Sequence, residues 1–111
     1  MTKQKIVKNK YTRARGGSAE FQSIICGKCN ETILTYQKDG KGSLVRMYLD
    51  RIVAPEEVVN IYKNVDTKSS MPALVCPKCK SLIGVPMIYE KENRLALRVE
   101  SPIKRKTYKP S

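Results

Sequence analysis

A chain of 111 residues, 41% of them hydrophobic, suffices for one small domain and is too short for two. Twenty-two Lys and Arg against 10 Asp and Glu give a net charge of +12 with no histidine, which argues for an anionic partner. Apolar stretches run only a few residues, far short of the roughly 20 that cross a bilayer, and residues 1–15 hold six basic side chains without an apolar block. Neither a membrane span nor a secretory signal is expected, and the expected compartment is the cytoplasm.

In chain order, residues 1–19 read as a basic tail. Lys3, Lys5, Lys8, Lys10, Arg13 and Arg15 all precede the first acid, Glu20, and Gly16-Gly17-Ser18 separates them from the body. Without apolar periodicity the tail is expected to be disordered unless a partner orders it. Residues 21–25 are a short apolar run leading into Cys26, which predicts a strand. Residues 32–38 alternate, Asp39-Gly40-Lys41-Gly42 supplies turn glycines, and residues 44–53 resume a β-prone stretch, so a hairpin is predicted, with Val45, Met47 and Leu49 on its core face. Pro55-Glu56-Glu57 predicts a first helical turn, with Val58, Ile61 and Tyr62 sharing a side. A polar loop at 64–70 precedes a short run at 73–75, an apolar strand at 82–89, a turn at Lys91-Glu92-Asn93 and a strand at 94–100. In that last strand Leu95, Leu97 and Val99 are expected to point inward, and Arg94, Ala96, Arg98 and Glu100 outward. Residues 101–111 form a second basic tail, also expected to be disordered, carrying Lys104, Arg105, Lys106 and Lys109. The body, residues 20–100, is nearly neutral, with 12 basic against 10 acidic side chains.

The strongest signal is a doubled motif, Cys26-Gly27-Lys28-Cys29 and Cys76-Pro77-Lys78-Cys79, with 46 residues between Cys29 and Cys76. Two thiolates across a two-residue turn grip one side of a tetrahedral ion, and a second such turn supplies the other side. One structural Zn2+ held by Cys26, Cys29, Cys76 and Cys79 is the expected cofactor. A redox dithiol fits less well, because such motifs come singly on βαβ scaffolds. Two disulfides fit poorly in a chain with no sign of export, while iron remains an alternative for a tetrathiolate. Lys28, Lys78 and Lys80 lie where they would offset the negative charge of four thiolates around a divalent ion. Asn30 accepts a left-handed backbone after the first knuckle, whereas Lys80 suits one less, so the second knuckle is expected to be less regular.

With these cysteines and Leu82-Ile83-Gly84 in view, the body resembles the β-tent group of zinc folds, which includes methionine sulfoxide reductase B, the Yippee proteins and the thalidomide-binding domain of cereblon. The resemblance covers residues 20–100 and implies a mainly β, zinc-ribbon-like domain of hairpins joined by two knuckles. The chain lacks the further nucleophilic cysteine that a reductase of this group needs, and it has no tryptophan for a cereblon-like cage.

Catalysis is not expected. The commonest general base is missing, all four thiols are committed to metal, and a four-sulfur site leaves no open position for water. No small-molecule substrate is expected either. The leading expectation is an RNA-binding accessory protein, of a ribosome or other ribonucleoprotein, in which a zinc body positions two basic arms. Lys3, Lys5, Lys8, Lys10, Arg13, Arg15, Lys104, Arg105, Lys106 and Lys109 would contact phosphate, and Tyr11 and Tyr108 would stack on unpaired bases. The alternative is a zinc-stabilised protein-interaction adaptor that uses a hairpin edge or the Leu44, Arg46 and Tyr48 face. Arg46, Arg51, Arg94 and Arg98 would make a basic face if their strands were neighbours.

Overall fold

The computed structural model describes residues 6–108. In chain order these form α1 (Lys10–Ala14), β1 (Ala19–Cys26), β2 (Thr32–Asp39), β3 (Arg46–Tyr48), a 3-10 turn at Leu49–Arg51, β4 (Ile52–Ala54) and α2 (Glu56–Lys63). After a second 3-10 turn at Lys68–Ser70 come β5 (Leu74–Val75), β6 (Leu82–Tyr89), β7 (Arg94–Val99) and β8 (Ile103–Tyr108). The strands make two antiparallel four-stranded sheets, ordered β4-β2-β1-β8 and β3-β7-β6-β5. Ile24, Leu34 and Tyr36 of the first sheet join Met47, Ile83 and Leu97 of the second in one buried cluster, completed by Tyr62 of α2 and by Met71 and Leu74. The domain is mainly β, as its alternating segments lead one to expect.

The predicted hairpin between residues 32–38 and 44–53 forms only at its far end, where Ile52 pairs with Tyr36. Gly40 and Gly42, at φ +75° and +110°, turn the chain off the first sheet, and β3 pairs with β7 of the second. Gly40 is doubly constrained, since a Cβ there would lie 2.6 Å from the Arg15 carbonyl oxygen. The 3-10 turn in the middle of the predicted strand returns the chain, and β4 then pairs with β2. The facing pattern changes accordingly. Met47 is fully buried, but Val45 is 54% exposed, while Leu44 and Tyr48 are buried. In α2 the two glutamates occupy the first turn as expected, and Tyr62 is buried with its hydroxyl donating to the Pro72 carbonyl, but Ile61 is exposed.

Both basic tails are structured where the structure describes them. Residues 6–9 dock through a pair of hydrogen bonds between the Gln37 side-chain amide and the Val7 backbone. The Asn9 side chain then caps α1 in a reciprocal box with Thr12. Arg51, 2% exposed, donates to Asp39 at 2.8 Å and to Asn9 and Thr12, joining the tail to the body. At the other terminus, residues 103–108 pair with β1 from Cys26↔Ile103 to Phe21↔Tyr108, so β8 is the outer strand of its sheet. Apolar periodicity misses both segments because the first is held by polar side chains and the second by backbone pairing.

Candidate metal centre

β1 ends at Cys26, and β5 leads into Cys76 across a single ladder step, so each sheet delivers one knuckle to the same end of the domain. The two turns repeat one hydrogen-bond pattern. Cys26 N donates to Glu31 O and Asn30 N to Cys26 O, while Cys76 N donates to Ser81 O and Lys80 N to Cys76 O. Asn30 and Lys80 both sit at φ +65°, so the second knuckle is as regular as the first despite its lysine. Gly27 is required for a different reason. Its N–H donates to Pro102 O at 2.9 Å, and a Cβ would overlap that carbonyl.

The four sulfurs lie within 4.8 Å of one another, with Cys26 to Cys79 at 3.7 Å and Cys29 to Cys76 at 3.5 Å. Four sulfurs about 2.3 Å from a common centre stand ~3.8 Å apart in a tetrahedron, so the spacing fits a tetrahedral thiophilic ion. The observed separations far exceed the roughly 2.05 Å of a disulfide, and all four cysteines are free. Hydrogen bonding already favours thiolate at part of the site. The Ser81 hydroxyl, 3.2 Å from Cys79 Sγ, and the Ser81 amide bring Cys79 down to about 6. The Cys79 amide, followed by that of Lys78, lowers Cys76. At Cys29 the Glu31 amide pulls the same way, but burial and the three neighbouring thiols outweigh it and push Cys29 up to about 12. Four sulfurs this close cannot all ionise without a cation among them, which is the service a divalent ion performs. Ser81 was not foreseen from the sequence; its only signal is its place two residues after the second cysteine of a knuckle.

The segment joining the sheets passes beneath both knuckles. Glu100 N donates to Ile83 O, the Ser101 hydroxyl to Leu82 O, and Gly27 N to Pro102 O. Lysines crowd this end: Lys28 and Lys78 are exposed, Lys80 Nζ donates to Pro77 O, and Lys104 Nζ donates to the Asn30 side chain at 2.7 Å.

The twelve residues expected to contact nucleic acid divide into three groups. Lys3, Lys5 and Lys109 lie outside the described residues. Lys8, Lys10, Arg13, Lys104, Arg105 and Lys106 are exposed, and Tyr108 ends β8. Arg15 and Tyr11 are otherwise engaged. Arg15 makes a two-pronged ion pair with Glu92 at 2.8 and 2.9 Å and donates to the Tyr48 hydroxyl. The Glu92 hydrogen bond holds the Arg15 guanidinium still more firmly protonated than usual. The Tyr11 ring is covered by the Arg94 guanidinium, 3.9 Å from its centroid, which leaves that face closed to a base.

The surfaces considered for a protein partner change too. Leu44 and Tyr48 are buried, so the Leu44, Arg46 and Tyr48 face is not open. Arg46 and Arg98 are indeed cross-strand partners, but Arg51 and Arg94 are buried in ion pairs with Asp39, Asp50 and Glu92, and no face of four arginines exists. Arg94 was expected to point into solvent. It lies instead between the rings of Tyr11 and Tyr48, an arrangement that needs the folded N-terminal segment.

The two basic termini meet at one loop. Arg15 packs against Gly40, Arg105 donates to Gly42 O at 3.1 Å, and Lys38 feels the charge of both. Burial, then repulsion by Arg105 and Arg15, lowers Lys38 from its ordinary value. Among the described residues no helix is long and apolar enough to cross a membrane. Comparison with protein-family models, curated proteins and solved structures found no match to this chain.

Proposed function

We propose that the chain is a non-enzymatic zinc protein of the β-tent kind that binds single-stranded RNA, as an accessory of a ribonucleoprotein particle. The metal reading rests on the four-sulfur cluster, and Zn2+ is the ion whose preferred ligands and geometry it matches best. When bound, the ion supplies structure, since four sulfurs leave it no open position for substrate or water.

The RNA reading is carried by the convergence of the two basic segments on the loop at residues 39–43. Lys38, Lys41 and Arg105 gather there, and β8 continues from it with Lys104 and Lys106 on an outer strand. None of these five cations has an ion-pair partner among the described residues, whereas the arginines of the interior do. Surface cations without ion-pair partners, with Lys104 and Lys106 on one face of β8 and Arg105 on the loop side, suit a phosphate backbone, and among the described residues no helix has the length and placement of a major-groove reader, which favours single strands over duplex DNA. Such cations on an outer strand also discourage edge-to-edge pairing with another chain, so the adaptor alternative is the weaker reading.

The test is fluorescence anisotropy with a single-stranded RNA across a salt series, comparing the zinc-loaded protein with a Lys104→Gln, Arg105→Gln, Lys106→Gln variant. Each lost phosphate contact should flatten the log–log slope by about 0.7, so the triple variant should flatten it by roughly 2. Unchanged slope and affinity would refute the role given to β8.

A further inference from the structure

Beside the loop where the basic segments meet lies a pocket of about 70 Å3 whose polar lining includes Arg15, Tyr36, Lys38, Ser43, Arg46 and Tyr48. Its lining is rich in donors and poor in acceptors. The one acid in the wall, Asp39, is already satisfied: Oδ2 accepts from Arg51 at 2.8 Å, and Oδ1 from Gln37 at 2.7 Å. Arg46 has no carboxylate partner among the described residues; its Nε donates to the Tyr48 hydroxyl, and its guanidinium lies 4.1 Å from the Tyr89 ring centroid. Among the described residues Lys38 donates to the carbonyls of Asp39 and Gly40. Tyr36, 2% exposed, accepts from Tyr48 N at 2.7 Å, and the Tyr48 hydroxyl accepts from Arg15 and Arg46. Both phenols therefore retain a proton to donate, and Ser43 is exposed at the rim. Arg15, bound to Glu92, contributes field rather than a free N–H.

A pocket of this volume admits one compact oxyanion. Two cations without carboxylate partners, a third close by and three hydroxyl donors around that volume are what a doubly charged tetrahedral anion requires. An internal phosphodiester carries one charge and is flanked by sugars on both sides, whereas a terminal monoester carries nearly two and enters end-on.

We propose that this pocket seats the terminal phosphate monoester of a bound nucleic-acid strand, with Lys38 and Arg46 as its charged contacts and Ser43 at the entrance. The inference rests on the RNA reading above and adds to it a preference for phosphorylated ends. Seating the anion would also relieve the repulsion that Lys38 experiences from Arg105 and Arg15.

The experiment uses the full-length, zinc-loaded protein and one RNA sequence in three forms: 5′-phosphorylated, 3′-phosphorylated, and hydroxyl at both ends. One phosphorylated form should bind about tenfold tighter than the doubly hydroxylated strand, the gain expected from a charge-assisted contact of this kind. Ser43→Glu places a carboxylate at the rim of an exposed loop, and Arg46→Gln removes a charged contact. Both should erase that preference: Arg46→Gln while leaving the affinity for the doubly hydroxylated strand within about twofold of wild type, and Ser43→Glu while weakening all three RNAs, because it adds an acid to the loop where the basic segments meet; unchanged zinc content is the check on folding. Inorganic phosphate should compete away the preference alone. Equal affinities for all three RNAs would overturn the pocket assignment and leave RNA binding standing. Perturbation of the Ser43 and Arg46 amide resonances by inorganic phosphate, with no RNA bound in any form, would overturn the strand-end assignment together with the RNA reading.

Discussion

At one end of the β1–β2 and β6–β7 hairpins, four thiols face one another. At the other, about 25 Å away along strands of eight residues, the same two sheets are closed by Asp39, Arg51, Arg15, Glu92 and Arg94 with the rings of Tyr11 and Tyr48. The sulfur end gathers four thiols that could hold an ion from outside, whereas the guanidinium end carries both signs of charge in its own side chains. On the zinc reading the first would be cohesive when loaded, while the second is closed by the docked N-terminal segment. A small domain thus closes each end of a two-sheet core by cross-links that hydrophobic burial alone does not supply.

The largest effect should come from the sulfur end. Apparent binding free energies for structural zinc in peptides are roughly 10–16 kcal/mol, comparable to the whole stability of a domain. Cys26→Ser or Cys76→Ser, each at a fully buried sulfur residue, should abolish the cooperative thermal transition seen by circular dichroism, and a strong chelator should do the same to the wild type. Retention of that transition in both variants would mean that the guanidinium end and the core hold the fold without metal.

At the opposite end Asp39→Asn should cost about 3 kcal/mol, because it removes the close, buried carboxylate at 2.8 Å and leaves the Arg51 charge only the more exposed Asp50 at 3.9 Å. Urea denaturation measures this directly. A loss under about 1 kcal/mol would show that the N-terminal segment does not depend on this network.

The cysteine end was readable from the sequence because its chemistry is written at fixed spacing, and Cys-x-x-Cys has few competing uses in a chain of this kind. The guanidinium end was not. Arg94 sits in an alternating strand, where geometry sends it to solvent, and only a docked Tyr11 and a buried Tyr48 convert that position into an interior one. Likewise Arg51, in the middle of a β-prone run, closes the 3-10 turn that interrupts the run, but its partner Asp39 is 12 residues away and gives no local signal. The strands themselves were largely legible as segments, whereas their pairing was not, since the choice of β7 rather than β2 as the partner of β3 rests on long-range packing of Met47 and Leu97.

A smaller effect sharpens the contrast through pH. The Arg15 hydrogen bond holds the Glu92 carboxyl below its ordinary 4.5. The stabilisation from this pair is therefore complete above that ordinary value and is lost as pH falls through the lower, folded-state one. Glu92→Gln should cost about 1–2 kcal/mol at neutral pH and lessen the loss of stability on acidification below pH 4.5, as read from thermal melts across a pH series. An acid limb identical to the wild type would remove Glu92 from the clasp.

The smallest expected effect is a gain. Lys80 holds a left-handed backbone at φ +65° that costs a side-chain-bearing residue roughly 1–2 kcal/mol, so Lys80→Gly should stabilise the loaded protein by about 1 kcal/mol. Thermal melts of the zinc-loaded variant provide the check, and a loss of stability would mean that the Lys80 bond to Pro77 O outweighs the backbone strain.

The contrast between the two ends depends most on what the thiols hold. Native mass spectrometry of protein purified without added metal, paired with elemental analysis, should find one zinc per chain, bound with loss of thiol protons and absent from the Cys76→Ser variant. A metal-free chain with the same folded charge-state distribution would contradict the account.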